Sequence, residues 1–298
     1  MPFQYDHLRT LTALVDEGTF EAAARHLHVT PSAVSQRVRA MEQAVGKVLV
    51  RRTTPVTTTP AGDVVLRHAR QVLVLDEDAL TELGTGDGNR LLPVAVNADS
   101  LSTWFLEALA TVAEELGEVF EVHREDEEYT TSLLRSGTVM AAVTSTPEAV
   151  QGCTVEGLGT MRYLVVCTPG FARRHLGDPA DPALLAQAPM VTFDRRDDLQ
   201  DRFVRQALGE EPRGPRHYIP ASQDFARAVH LGMGWGAVPE RQCHEALATG
   251  ELVAMAPDHP VDVRLYWQRW NLRSPALDLL TDVVRRHAAA RLHPLAPG

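Results

Sequence analysis

The chain lacks long apolar runs, and its cysteines are few. No segment of its 298 residues stays apolar over the length that a membrane span needs, so no membrane partner is expected. Its first residues carry neither a basic region nor an apolar stretch, so we expect no secretory signal and a cytoplasmic location. Cys153, Cys167 and Cys243 lie far apart without metal-ligand spacing. They are predicted to be reduced core residues, with a redox-sensing pair as the alternative.

Motifs for catalysis are also missing. His123, His175 and His230 are dispersed and show neither hydrolase nor metal spacing, and the acidic residues have no nucleophile nearby in a known pattern. We therefore expect no catalytic residue, no bound metal and no cofactor.

Charge is unevenly divided along the chain. Residues 1–60 hold seven basic against five acidic residues, a net charge of +2, whereas the whole chain carries −10, which leaves −12 for residues 61–298. An acidic remainder would repel nucleic acid and would suit a domain that binds a cationic ligand.

The first sixty residues contain a helix-turn-helix pattern. A short alanine-rich helix over residues 20–27 is followed by a turn and a second helix over residues 31–42. Thr30 is the predicted N-cap of this second helix, and Pro31 takes its first position, where a missing N–H costs nothing. Four apolar residues recur at helical spacing and are expected to face the other helices: Val34, Val38, Met41 and Val45.

The opposite face of the second helix is polar and carries Ser32, Ser35, Gln36 and Arg39. These side chains are able to hydrogen-bond to base edges or phosphates. A short helix that presents such a face after a tight turn is what insertion into the DNA major groove requires. The alternative is an ordinary small helical bundle with a solvated face.

A small wing and a long helix follow. Two short β-prone runs flank Arg51 and Arg52, which we predict to contact the sugar-phosphate backbone. A helix over residues 61–83 has five apolar residues spaced for packing against a partner helix: Val65, Leu66, Val72, Leu73 and Leu80. The glycine-rich residues 82–90 then predict a flexible hinge rather than a phosphate loop, because no strand precedes them and no lysine follows.

Beyond residue 90 short strands alternate with helices in two successive sets. This alternation predicts mostly parallel sheets covered on both faces. We therefore divide the whole chain into three predicted units. These are a DNA-binding domain over residues 1–60, a linker helix and hinge for dimerisation over 61–90, and a ligand domain over 91–298.

These features together resemble the LysR-type transcriptional regulators. The matching pieces are Phe20-x-x-Ala23-Ala24-x-x-Leu27, Thr30-Pro31-Ser32-Ala33-Val34-Ser35, Glu42, Gly46, Leu49, Arg52, Thr59-x-Ala61-Gly62 and the turn at residues 232–239. Val50 departs from the family, which usually has Phe there. The resemblance implies a winged helix-turn-helix followed by an α/β two-lobed, periplasmic-binding-protein-like effector domain.

Candidate effector-binding residues lie where strands end, because ligands of open α/β sheets bind at the carboxyl ends of strands. The first strand leads into Asp99, Ser100, Ser102 and Thr103 at a helix start, where free N–H groups favour a carboxylate. Ser100 holds the position that binds effector in similar regulators. The alternative is that Asp99 or Ser100 only caps the helix. Acidic residues at later strand ends would hold a cationic group: Glu125, Asp126, Asp194 and Asp224. Phe193, next to Asp194, is a further candidate effector-binding residue. The alternative for the run beginning at Glu125 is a solvated face.

Three peptides narrow the resemblance to the LysG/ArgP-like branch, which senses basic amino acids. They cover residues 96–104, 158–164 and 265–270. This branch implies an effector such as lysine, arginine or histidine and control of a basic-amino-acid exporter gene. It also implies promoter DNA, a homodimer or homotetramer and RNA polymerase as partners. A solute-binding protein or an enzyme on the same two-lobed fold are the alternative functions.

Overall fold

The computed structural model describes residues 3–85, 91–124 and 127–295. Its α-helices are α1 Tyr5–Glu17, α2 Phe20–His26, α3 Pro31–Val45, α4 Pro60–Glu82, α5 Ala98–Ser100, α6 Leu106–Leu116, α7 Glu127–Ser136, α8 Pro169–His175, α9 Leu199–Phe203, α10 Ser222–His230, α11 Glu240–Thr249 and α12 Pro275–Arg291. Its strands are β1 Val50–Arg51, β2 Thr57–Thr58, β3 Leu91–Val96, β4 Val119–Arg124, β5 Ala141–Thr144, β6 Cys153–Cys167, β7 Met190–Thr192, β8 Arg216–Tyr218, β9 Gly236–Pro239, β10 Val253–Ala254 and β11 Val261–Trp270. A π-helical turn, Leu101–Phe105, joins α5 to α6.

The head of the molecule is a three-helix unit, α1 to α3, with the predicted turn between α2 and α3. Val34, Val38 and Met41 are fully buried in its core, as their spacing predicts. Thr30 caps α3 by accepting a hydrogen bond from the backbone N–H of Ala33 at 3.2 Å. The predicted helix-turn-helix is therefore confirmed.

The wing consists of β1 and β2, paired antiparallel with Val50 opposite Thr58. Its strands close onto the start of α4, where Thr59 caps the helix by accepting from Gly62 N–H at 3.0 Å. Gly62 lies against the backbone of the wing, and a Cβ at this position would meet the carbonyl oxygen of Leu49 at 1.9 Å. Only glycine allows this close approach of wing and helix.

Gly62→Ala should therefore lower the free energy of unfolding of the head by about 3 kcal/mol or more, because the new methyl group collides with backbone rather than with a movable side chain. Thermal unfolding of the two variants Gly62→Ala and Gly170→Ala provides the measurement. Gly170 lies in the first turn of α8 behind Pro169, as Gly62 follows Pro60, but its added Cβ meets nothing within 4 Å. Equal melting temperatures for both variants would contradict the steric argument.

The long helix α4 corrects one expectation. Val65 and Leu66 are not left for a second chain but are buried in the core of the head, against helix α1. The reason is that the first turns of α4 lie against α1. The first part of the apolar stripe therefore packs within the head, and only the later part is left for a second chain. Farther along, Leu80 is 48% exposed and remains available to a second chain.

Two arginines of α4 join the head to the second domain. The Arg70 guanidinium pairs with Asp16 of α1 and donates to the Thr138 hydroxyl at 3.2 Å. Arg67 donates to the carbonyl oxygen of Arg135, in α7, at 3.3 Å. Helix α4 is thus bonded to the head and to the second domain through residues that are distant in sequence.

The second domain is built on a mixed sheet, and the expectation of mostly parallel sheets is wrong. Strands β3, β4 and β5 pair in parallel, and so do β7 and β8. The long strands β6 and β11 pair antiparallel with each other, and β9 and β10 join β6 antiparallel. Sequence alternation misled here because β6 and β11 are long crossing strands rather than members of a strand-helix-strand unit.

These two crossing strands divide the domain into two lobes. Lobe 1 contains β3 to β5 with α5 to α7, and lobe 2 contains β7 to β9 with α8 to α11. The largest hydrophobic core runs through both, with Trp104 of lobe 1 and Trp235 of lobe 2 almost fully buried. Among the described residues, no helix combines the length and apolarity that crossing a membrane would need.

Candidate DNA-binding face and ligand cavity

The exposed face of α3 has the chemistry predicted for it. Gln36 and Arg39 are exposed and Ser35 is half-buried. The Ser32 hydroxyl lies 2.9 Å from that of Thr30, the capping residue. Thr30, Pro31 and Ser32 therefore form the exposed start of the helix, and the polar face continues along its next two turns. Their contacts with bases remain a prediction.

The wing carries two arginines at its exposed surface. Arg51 and Arg52 are both exposed, and the Arg52 guanidinium stacks over the Phe20 ring at 5.1 Å. Because Phe20 is the first residue of α2, this cation–π contact links the wing to the helix-turn-helix and orients the Arg52 guanidinium.

A cavity of about 760 Å³ lies between the two lobes. Its wall is formed by strand ends and helix starts from both lobes, which is where an α/β fold binds ligands. The lining residues are Asn97, Ala98, Asp99, Arg124, Tyr163, Phe193, Asp194, Arg196, Asp197, Asp198, Leu199, Gln200, Arg202, Pro220, Phe225, Ala237 and Pro239. Four carboxylates against three guanidinium groups give this wall a slight excess of negative charge.

Asp99 is the lobe 1 acid of the cavity. Its carboxylate accepts a hydrogen bond from the Tyr163 hydroxyl at 2.7 Å and another from Ser222. Burial raises the pKa of Asp99, while these two hydrogen bonds act in the opposite direction. The same burial, reinforced by Asp99, raises the pKa of Tyr163 well above its usual value, so the phenol keeps its proton.

Lobe 2 supplies the other acids from the loop after β7. Asp197 accepts from the backbone N–H groups of Phe193 at 2.9 Å and Leu199 at 3.0 Å. Burial raises its pKa, with a further contribution from Asp99 across the cavity. Asp194 accepts from Asp197 N–H at 3.0 Å, so the acids order the loop as well as facing the cavity.

Gln200 of lobe 2 is a neutral polar residue of the cavity wall. Gln200 is 1% exposed, and its amide oxygen has no hydrogen-bond partner among the described residues. A buried acceptor without a partner is costly, so a donor group on a ligand would find a favourable place here.

The structure brings together some of the predicted effector residues and separates others. Asp99, Phe193 and Asp194 line the cavity, whereas Ser100 is fully buried outside the cavity wall and its hydroxyl has no partner among the described residues. Neither Asp99 nor Ser100 caps the helix that follows β3. The cap is Asn97, whose side-chain oxygen accepts a hydrogen bond from the Ser100 N–H at 2.7 Å.

The remaining candidates lie elsewhere. Ser102 hydrogen-bonds to Ser222, and Thr103 donates to the carbonyl oxygen of Asp99 at 2.6 Å. Asp224 is exposed on α10 and is not part of the cavity wall. Glu125 and Asp126 lie outside the described residues.

Sequence reasoning missed several residues of the cavity wall, above all Tyr163, Gln200 and Arg202. Asp197 also lines the cavity and, like Asp194, follows soon after strand β7. Tyr163 lies in the middle of β6, and no local pattern marks a strand interior as part of a site.

No group of described residues has the His, Cys, Asp or Glu arrangement of a metal site. Cys167 and Cys243 are buried as expected, and Cys153 is half-buried. Burial raises the pKa of Cys153 to about 11, and those of Cys167 and Cys243 to about 12, which disfavours the reactive thiolate.

A winged helix-turn-helix joined by a long helix to a two-lobed domain with a cavity defines a DNA-binding regulator with a ligand domain. Residues 5–63 match the family described as bacterial regulatory helix-turn-helix protein, lysR family, and residues 86–289 match the LysR substrate binding domain. The chain belongs to the LysR family of transcriptional regulators.

Relatives with named functions are similar over nearly the whole length. The regulator LysG of Mycobacterium tuberculosis is 44% identical, over 95% of this chain and 92% of its own. The lysine export transcriptional regulatory protein LysG of Corynebacterium glutamicum is 40% identical, over 98% and 99%.

Two solved structures show the same likeness. The crystal structure of ArgP from Mycobacterium tuberculosis is 42% identical with a TM-score of 0.89, over 97% of this chain and 98% of that one. Full-length LysG of Corynebacterium glutamicum with the effector arginine bound is 40% identical with a TM-score of 0.84, over 98% and 100%.

Proposed function

We propose that this regulator responds to a basic amino acid, lysine or arginine in the first place and histidine as a further candidate. We also propose that it controls a gene for a basic-amino-acid exporter. The proposal is supported by relatives named for lysine export and by a similar protein whose structure holds arginine. It makes this chain a sensor that couples the cavity to the DNA-binding head.

The observation that carries the proposal is Asp99 in the cavity wall. Its carboxylate, held by Tyr163 and Ser222, suits a ligand ammonium or guanidinium group, and a charge-assisted hydrogen bond in a partly water-excluded site is about twice as strong as a neutral one. The cavity volume of about 760 Å³ falls within the range that small-molecule sites occupy.

A thermal-shift panel of the twenty amino acids tests the proposal directly. A ligand that binds the native state raises apparent stability by about 2.7 kcal/mol at a concentration of 100 times its Kd. We expect shifts with lysine, arginine or histidine and none with neutral amino acids. A duplex-binding assay with and without the active ligand then separates a regulator from a solute-binding protein or an enzyme.

We propose the following assembly on DNA. Residues 1–60 bind the duplex, residues 61–90 pair two subunits through the exposed part of α4, and residues 91–298 sense the effector in the cytoplasm. Pairing would space two copies of α3 to match half-sites one helical turn, or a multiple of it, apart. A homodimer or homotetramer would then present RNA polymerase with DNA whose bending depends on the effector.

Arg52→Ala should lower affinity for every duplex and reduce the salt dependence of binding by about one phosphate contact. The proposed reason is that Arg52, oriented by Phe20, neutralises a backbone phosphate rather than reading a base. Affinities for promoter and random duplexes at several salt concentrations measure this. Arg174→Ala removes an equal charge from an exposed site on α8, in lobe 2, and should change neither value. A loss confined to one sequence would contradict the backbone role.

Affinity for a cationic effector should fall as pH is lowered, starting above the pH at which an ordinary aspartate titrates. Burial raises the pKa of Asp99, and the protonated acid no longer attracts a cation. Without ligand the sign is opposite: the folded chain holds this proton more tightly, so stability falls as pH rises to the raised pKa. Calorimetry on wild type and Asp99→Asn checks this, and an equally steep pH dependence in the variant would assign the effect to other acids such as Asp197.

A further inference from the structure

A cluster of side chains connects the lobes beside the cavity, and we call it the interlobe cluster: Asp99, Ser102, Ser222 and Gln242. The Gln242 amide nitrogen lies 2.8 Å from the Ser102 hydroxyl and 2.9 Å from that of Ser222, and these two hydroxyls are 2.8 Å apart. The cluster reaches Asp99 through Ser102, whose hydroxyl donates to the Asp99 backbone carbonyl oxygen at 3.2 Å, and hydrogen bonding from Ser222 acts to lower the pKa of the Asp99 carboxyl. Gln242 itself is absent from the cavity wall.

The direction of each hydrogen bond follows from the chemistry of the groups. The two N–H groups of Gln242 donate, one to Ser102 and one to Ser222, and an ionised Asp99 only accepts. Ser222 therefore receives from Gln242 and has its single proton available for Asp99. Ser102 shares its proton between the Ser222 hydroxyl at 2.8 Å and the backbone carbonyl oxygen of Asp99 at 3.2 Å. The protons of the two serines are thus directed towards Asp99.

The opposite orientation of the Gln242 amide is less favourable. Its oxygen is buried and has no partner among the described residues. Turning the amide round would put both N–H groups in that position without a partner and would draw the Ser222 proton away from Asp99.

The cluster also spans the two lobes. Asp99 and Ser102 belong to the start of the helix after β3 in lobe 1, and Ser222 and Gln242 open α10 and α11 in lobe 2. A rotation of one lobe against the other would separate these pairs. The donors of Asp99 are therefore complete only in the arrangement of lobes seen here.

We propose that Gln242 is a positioning residue for the effector, which holds Ser102 and Ser222 together across the lobes so that the Asp99 carboxylate stays directed into the cavity when the lobes meet. This inference rests on the proposed function, because it takes the ligand to be a cation held by Asp99. It makes affinity for a basic amino acid depend on a residue that does not touch it, and it links that affinity to the arrangement of the lobes.

A double-mutant cycle tests the inference, with arginine as the ligand in calorimetry. Gln242→Met keeps the size of the side chain and removes its donors, and we expect arginine affinity about tenfold weaker. In the Asp99→Asn background the same change should weaken the remaining affinity less than twofold, because Gln242 acts through Asp99. Gln223→Met, at an exposed position of α10, is the matched control and should leave affinity unchanged.

The outcomes separate this inference from the proposed function. If wild type binds neither lysine nor arginine, the proposed function fails. If wild type binds and Gln242→Met loses the same factor in both backgrounds, Gln242 has only a general structural role and the inference is overturned. The cycle is repeated with Ser222→Ala in place of Gln242→Met, and non-additivity with Asp99→Asn is expected again. Melting temperatures confirm that each variant is folded.

Discussion

Asp99→Asn is expected to weaken binding of arginine by about 3 kcal/mol, which is roughly two orders of magnitude in Kd. The substitution keeps the shape of the side chain and its place beside Tyr163, so it removes the charge and little else. A cationic group brought into the cavity would then leave water without an anionic partner from lobe 1. Calorimetric titration with arginine and lysine measures the loss.

Asp224→Asn is the matched control for this experiment. Asp224 is an aspartate of the same domain, but it is exposed on α10 and outside the cavity wall. We expect it to bind arginine as wild type does. If both variants bind with unchanged affinity, the ligand's cation is held by another acid, and the role assigned to Asp99 is lost.

The second large effect is expected on the DNA side. Ser35→Ala and Gln36→Ala should each weaken binding to the specific promoter by about 1–3 kcal/mol, with little change for a random duplex. Both residues lie on the polar face of α3, and neither belongs to its buried side. Affinities for specific and random duplexes at one salt concentration give the difference.

Gln43→Ala is the control on the same helix. Gln43 is exposed in the last turns of α3, beyond the segment expected to read bases. Its replacement should leave sequence discrimination intact. Promoter affinity that is unchanged in Ser35→Ala and Gln36→Ala would show that this face does not enter the groove.

The head could be predicted from the sequence because its signals are local. Thr30 and Pro31 mark the start of α3 through their own backbone preferences, and Val34 and Val38 recur on one side of a helix whatever lies around it. The structure places all four as expected. By contrast, the pairing of α4 could not be predicted from spacing, because Val65 and Leu66 pack equally well against a partner chain or against the head of the same chain.

The ligand domain shows where this reasoning stops. The existence of most strands and helices followed from apolar pattern, but strand direction did not, and β6 and β11 cross the domain antiparallel. Asp99 and Asp194 were visible as acids after strands. Tyr163 and Gln200 were not, because only the folded sheet brings a strand interior and a short helix to the same cavity.

By itself, the sequence determined the helix-turn-helix, its caps, the polar face of α3 and the membership of the chain in its family, since each rests on residues within a few turns of one another. The tertiary structure alone decided which acids meet, what burial does to the pKa values of Asp99 and Asp197, and how Gln242 reaches Asp99 through Ser222. The physical reason is distance along the chain: desolvation and hydrogen bonding depend on neighbours in space, and Ser102 and Gln242 become neighbours only when the two lobes have folded against each other.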